Sequence, residues 1–352
     1  MTDVNQLVSD PGFLAYRFDF DTEKVEFISV SKDDLTQATW LNREALDQAE
    51  ASISIPLVDV VRSLNARVKV QRKPPCFIFH TAYCASTFLS RCLAVPDVSV
   101  SLREPQLLLD AANAKRLQWR SQTSNLDFRH LPSIAIGLLE KHAEPHETLV
   151  IKPINSVNNI IAELLQVSGA AKTLMLYTDA RNFLLSTLKK GEEAKQRQRA
   201  MFDLLRCDFP HLSQLGLSDV IHLSDLKICL TLWRLQLEQA EQSLAHFSPQ
   251  GLMRSLYAEH LIQEPNKGLR ASSEFLELNL GDNIINEIVK SDLLTRDAKN
   301  TEDGFSNVKR EESYQNIEAF YGADLDNGYK WLRSNNPRTS LTPVLSGALS
   351  ID

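Results

Sequence analysis

Five short runs constrain the fold of this chain more than any other feature: CFIFH (76–80), VSVSL (98–102), TLVIK (148–152), TLMLY (173–177) and LMRSLY (252–257). Runs of this length that stay apolar on successive positions suit strands buried on both faces, the pattern of a parallel sheet covered by helices on either side. Each is followed by a helix candidate. The best begins at Ser224 and Asp225, good N-cap types, and carries Cys229, Trp233, Leu237, Ala240, Leu244 and Phe247 at spacings of three and four. Strand, helix, strand in this order predicts a three-layer α/β domain. Residues 76–80, 148–152 and 173–177 are expected as adjacent parallel strands, with the loop 81–87 at their carboxyl ends.

Residues 1–72 read as a small cap. Tyr16, Phe18 and Phe20 alternate with polar residues, Asp21, Thr22 and Glu23 can turn, and Val25 and Phe27 resume the alternation, which predicts a β-hairpin. Helices are expected near Leu41 to Glu50 and Pro56 to Ala66. The paired prolines Pro74 and Pro75 stop regular structure before the α/β domain, placed at 73–310. A helical extension and tail are expected over 311–352: Asn300 to Ser313 reads as irregular, Ser313 to Trp331 as helical, and the Ser-, Pro-, Asn- and Thr-rich end as mobile.

Charge limits the partners. Lys and Arg number 38 against 45 Asp and Glu, a net charge of −7, so nothing draws the chain generally to nucleic acid and an anionic ligand needs a local basic cluster. Five cysteines with no CxxC pair argue against a disulfide framework and a zinc site; no metal is expected, and the compartment reads as reducing. Without a basic leader or 18 apolar residues in a row, the chain reads as cytoplasmic, with no membrane partner.

The most informative segment runs from Phe77 to Leu89, from a buried strand through small residues into a helix. Such a turn can direct backbone N–H groups and a helix dipole at one spot where a phosphate or sulfate binds, with Ser86 and Thr87 adding hydroxyls. The same residues also suit an ordinary strand-to-helix turn with N-capping hydroxyls. The Walker pattern GxxxxGK[ST] is absent, since no glycine or lysine lies between Phe77 and Ser90, which disfavours a kinase or NTPase.

In the order of its elements the chain resembles the sulfotransferase family of P-loop-like proteins, particularly its diverse bacterial branch. Tyr83-Cys84-Ala85-Ser86-Thr87 falls on the family's [KR]-S-G-T-T loop, Leu149 to Pro153 looks like its "LKxP" strand end, and Leu174 to Ser186 looks like its strand-RDPRxxxxS segment. Ser255 to Pro265, followed by Leu269 and Phe275 to Leu278, looks like its "YEDLxxxPxxxLxxIxxFLGL" stretch, so the resemblance covers residues 74 to 310. It implies a central parallel sheet flanked by helices and, as co-substrate, 3′-phosphoadenosine 5′-phosphosulfate. Thr81, Tyr83, Cys84, Ala85, Ser86, Thr87 and Phe88 would cradle the phosphosulfate, and Arg181 and Ser186 would lie at the 3′-phosphate. The partners implied are this nucleotide donor and a small-molecule or peptide acceptor. Two departures remove charge: Tyr83 stands where the family has Lys or Arg, and Thr178 where it has the first Arg.

The remaining candidates each have two readings. Lys152 ends a buried strand where open α/β sheets bind ligands, and either reaches a phosphoryl or sulfonyl oxygen or snorkels to water. Glu104 resembles the "EP" step of carbohydrate-type sulfotransferases and is either the base that takes the acceptor's proton, an ion-pair partner of Arg103 or an acid in an N-cap region. Lys189, Lys190, Lys195, Arg197 and Arg199 make either a solvated helix face or a substitute for the cation missing at Thr178. His80 reads as a hydrogen-bonded core residue and Cys84 as a small filler. Three activities follow in order of preference: sulfonate transfer to a hydroxyl or amine, nucleotide or anion binding without transfer, and phosphotransfer from a nucleoside triphosphate.

Overall fold

A computed structural model describes residues 3–41, 52–68, 70–212, 222–291 and 307–351. All five apolar runs form strands. β4 (Cys76–His80), β5 (Ser99–Arg103), β6 (Thr148–Lys152), β7 (Thr173–Tyr177) and β8 (Met253–Tyr257) make a five-stranded sheet in the order β5-β6-β4-β7-β8. β6 pairs in parallel with β5 and with β4, through Arg103↔Lys152 and Phe77↔Ile151. The three runs expected side by side are therefore neighbours. Every residue of β4, β5, β6 and β7 is buried, and β4, β6 and β7 accordingly run apolar through successive positions, whereas β5 alternates Ser99, Ser101 and Arg103 with Val100 and Leu102 and buries both sets.

Near the N-terminus β1 (Phe13–Asp19) and β2 (Lys24–Ser29) form the expected hairpin, antiparallel with Phe18 opposite Val25. A third strand, β3 (Ser52–Pro56), pairs antiparallel with β2, placing Ile55 opposite Val25. The sequence reading missed it because two isoleucines between serines are too short a period-2 signal. The helix expected over Leu41 to Glu50 falls outside the described residues apart from Leu41, whereas the next one is present as α1 (Leu57–Ala66).

The chain divides into two compact units. One comprises Met1–Phe79, Thr87–Leu174 and Ser272–Gly281. Its helices include α2 (Ser86–Cys92, all but its first residue), α3 (Gln106–Arg116) and α4 (Leu131–Leu139), which bury Leu89, Leu107, Leu108, Leu138 and Leu139.

The other unit comprises His80–Ser86, Met175–Ala271 and Asp282–Asp352. It holds α5 (Ala180–Lys189), α6 (Gly191–Leu205), α7 (Asp225–Phe247) and α8 (Asn307–Asn335). Ser224 caps α7 as its sequence suggests, accepting from the Lys227 N–H at 3.4 Å. Trp233 is fully buried on α7, and its Nε1 donates to the Thr178 carbonyl at 2.9 Å. Two expectations need correcting. Helix α8 begins at Asn307, inside the stretch read as irregular, because Val308 to Glu312 carries no helix breaker. The end of the chain is not a loose tail: Ser255 N–H donates to Gly347 O at 2.9 Å, Leu349 N–H to Ser255 O at 2.8 Å, and Leu345 is buried, so backbone pairing along β8 holds it.

Candidate functional site

The loop after β4 contains three non-glycine residues with left-handed backbone, φ being +63° at Ala82, +51° at Tyr83 and +57° at Ala85. Such residues cost on the order of 1–2 kcal/mol each and persist only where other contacts fix them. Two bonds do so here: Ala82 N–H donates to His80 Nδ1 at 3.1 Å, and Thr81 N–H to Leu176 O at 3.0 Å. His80 is thus the hydrogen-bonded core residue expected. Left-handed residues in a strand-to-helix loop can turn neighbouring N–H groups to one side, as in anion-binding nests, and here Ala82 and Tyr83 are consecutive, with Ala85 following after Cys84. The hydroxyls of Thr81 and Thr87 are buried without a hydrogen-bond partner, while Ser86, Cys84 and Phe88 are buried as well.

Tyr83 takes no charge into this loop. Its ring meets Phe183 edge-on at 5.4 Å, and its hydroxyl accepts from Gln198 Nε2 at 3.0 Å. Burial raises its pKa and keeps the phenol neutral. A cation stands over it instead: Lys190 Nζ lies 5.7 Å from the ring centroid, and the exposed Lys190 makes no ion pair among the described residues. Of the basic run, Lys195 pairs with Glu192, Arg197 with Glu193 and Arg199 with Asp225, so those three carry local ion pairs.

In the other unit Glu104 and Lys152 come together. Lys152 Nζ donates to Glu104 Oε1 at 2.6 Å, with side chains 1% and 10% exposed. The backbone makes this possible. Glu104 leaves β5 with φ +54° and donates its N–H to Lys152 O at 2.6 Å, turning its carboxylate toward the end of β6. Arg103 is not the partner of Glu104. It is fully buried, bonds the carbonyls of Leu35, Thr36 and Ala38, and is drawn down to about 10 by burial. Neither Lys152 nor Glu104 reaches out to water as an unpaired group.

The segment after β7 is arranged differently from what its motif suggests. Thr178 is fully buried with its hydroxyl unpartnered. Asp179 caps α5 by accepting from Asn182 N–H at 2.7 Å, and it also accepts from the Tyr257 hydroxyl. Arg181 is clamped on α8, with Nε and Nη2 donating to the two oxygens of Glu318 at 2.6 and 2.9 Å and Nη2 to Glu311 at 2.9 Å. Those acids push its pKa further up. Ser186 Oγ bonds the Tyr314 hydroxyl at 2.7 Å. Helix α8 therefore occupies both side chains proposed for the 3′-phosphate.

Sequence reasoning did not foresee one further cluster: Asp97, His146 and Glu147 present ligand atoms within 4.8 Å of one another, Glu147 buried and the other two exposed. Glu147 Oε2 already accepts the Glu144 N–H at 2.9 Å. Among the described residues no helix is long and apolar enough to cross a membrane.

No protein-family model matches the sequence, and no curated protein is significantly similar to it. Among solved structures, the chain is similar to the sulfotransferase domain from the curacin biosynthetic pathway, with 15% identity, 67% of this chain and 84% of that one covered, and a TM-score of 0.43. It is also similar to sulfotransferase STF9 from Mycobacterium avium, with 12% identity, 75% and 79% coverage, and a TM-score of 0.39. At these values the likenesses carry no argument about function.

Proposed function

We propose that this protein is a sulfotransferase that moves a sulfonate from 3′-phosphoadenosine 5′-phosphosulfate to a hydroxyl or amine. The observation that carries the reading is the left-handed loop of Ala82, Tyr83 and Ala85 at the carboxyl end of β4, flanked by the unpartnered hydroxyls of Thr81 and Thr87. Backbone N–H groups and hydroxyls suit an oxyanion whose charge shifts during transfer, since they are fixed beforehand and need no rearrangement. The phosphosulfate end of the donor therefore fits. The 3′-phosphate end does not fit the residues inferred for it, because Arg181 and Ser186 are already bonded to α8. No step is assigned to them.

In this reading the nest and Ser86 and Thr87 bind the transferring group, and Lys190 supplies the positive charge that Tyr83 lacks. Glu104, held by Lys152, accepts the acceptor's proton as the acceptor attacks sulfur. The S–O bond to the donor phosphate breaks, and the charge leaves on that phosphate. Lys152 is a positioning residue for Glu104, and its own charge is offset by it. That offset also supports a second reading, an anion-binding protein without transfer.

Calorimetry with adenosine 3′,5′-bisphosphate, against ATP with Mg²⁺, tests the binding half. Ser86→Ala with Thr87→Ala should weaken the bisphosphate by about 1.5–3 kcal/mol for each lost charge-assisted bond. Unchanged affinity removes the loop from the site. Labelled sulfonate offered with a panel of hydroxyl and amine acceptors tests the transfer half, and binding without any transfer selects the second reading.

A further inference from the structure

A pocket of about 420 Å³ lies wholly within the unit that contains α8, between that helix and the segment following it. Its walls include Arg181, Glu318, Tyr329, Arg333, Ser340 and Thr342. Nothing in the proposed transfer uses it. The volume lies in the range of small-ligand sites.

Four independent features converge there. Arg181 spends Nε and Nη2 on the acids of α8, which lock the guanidinium in place while its Nη1 edge has no partner among the described residues. Arg333, in the last turn of α8, makes no ion pair among the described residues. The Tyr329 hydroxyl is shut off from solvent and has no hydrogen-bond partner, an arrangement that costs free energy unless something else bonds it. The segment at 339–342 brings hydroxyls, and its backbone is fixed, Leu341 O accepting the Ala180 N–H at 3.0 Å.

Glu318 and Glu311 together offset Arg181, so the positive charge the pocket has to spare is that of Arg333, with the Nη1 edge of Arg181 as a further donor, which suits a ligand with an anionic head. Guanidinium edges match the oxygens of phosphate, and the phenol and hydroxyls match a body rich in OH groups. We infer that this pocket binds a phosphate monoester of a small polyhydroxylated compound, its phosphate between Arg181 Nη1 and Arg333 and its hydroxyls toward Tyr329, Ser340 and Thr342. Inorganic phosphate alone would leave much of the volume empty. Occupancy would tie α8 to the end of the chain, since Arg333 and Ser340 would share one ligand.

The test uses the whole protein, isotope-labelled, titrated with glucose 6-phosphate, glucose and inorganic phosphate and followed by amide shifts and calorimetry. Saturable binding of the sugar phosphate, tighter than either fragment, with shifts at 339–342, is the expected result. Arg333→Gln, on an exposed residue and so harmless to folding, should weaken it roughly tenfold or more, and Tyr329→Phe severalfold. The inference is overturned by shifts confined to 81–87, by affinity unchanged in Arg333→Gln, by equal affinity for inorganic phosphate, or by no saturable binding of any of the three.

Discussion

The Glu104–Lys152 pair offers the sharpest test, because its stability effect and its chemical effect separate. The two groups meet at 2.6 Å with 10% and 1% of their side chains exposed, so water screens neither. Lys152→Met removes the cation and strands the carboxylate. Losing one partner of a buried pair costs roughly 3–5 kcal/mol, a large part of the 5–15 kcal/mol that holds a domain together. Glu104→Gln keeps an amide oxygen for the ammonium to donate to, so its cost should be smaller, about 1.5–3 kcal/mol.

The double variant joins two uncharged groups and leaves no stranded ion. Its loss should fall short of the sum of the singles by at least about 1 kcal/mol, as expected for groups in direct contact. Urea denaturation followed by circular dichroism measures all three. The chemical effect runs the other way: Glu104→Gln, the milder change for stability, should lower sulfonate transfer roughly 10²–10⁴-fold with donor affinity near normal. A loss below about 1 kcal/mol in Lys152→Met would refute the buried-pair argument, and full turnover in Glu104→Gln would refute the base assignment.

Three further outcomes are expected. Burial pulls the Lys141 ammonium down to about 7 in the fold, against 10.5 for the free side chain, so the unfolded chain holds more protons between those values and stability should rise with pH across that window. Lys141→Met should remove that slope, about 1.4 kcal/mol per pH unit at its steepest, measured by denaturation at pH 6.5 and 9.5. Trp233→Phe opens a void in the core of its unit and leaves Thr178 O unpaired, for a loss of roughly 2–4 kcal/mol in thermal or urea unfolding. Ala85→Gly relieves a left-handed alanine and should raise stability by up to about 1 kcal/mol.

The sheet was legible because burial on both faces leaves a mark in β4, β6 and β7, which run apolar through successive positions, and each of the five runs is a strand to within one residue. Legibility fails where the signal depends on distant chain. Ile53 and Ile55 read as nothing until β2 pairs with them. The Ser- and Pro-rich terminus looked mobile because its hydrogen bonds go to β8, almost a hundred residues away. At the site, the loop and Lys152 were visible through their place after buried strands. The partner of Glu104 was not, since residues adjacent in sequence point apart at a strand end, and only the left-handed turn at Glu104 brings its carboxylate to Lys152. The clamp on Arg181 likewise joins residues 130 and 137 positions apart.

The loop itself decides whether strain or convenience explains its backbone. Ala82, Tyr83 and Ala85 together carry roughly 3–6 kcal/mol of left-handed cost that glycine would largely remove. A plain connector has no reason to keep that cost. A binding loop does, because an alanine held left-handed by its neighbours fixes the N–H direction, whereas glycine permits many directions and must be ordered again by each ligand. The two accounts differ in one measurable sign. In Ala85→Gly a connector gains stability with bisphosphate affinity unchanged, whereas an anion nest gains stability and loses affinity. Stability and affinity rising together would contradict both the nest and the transfer built on it.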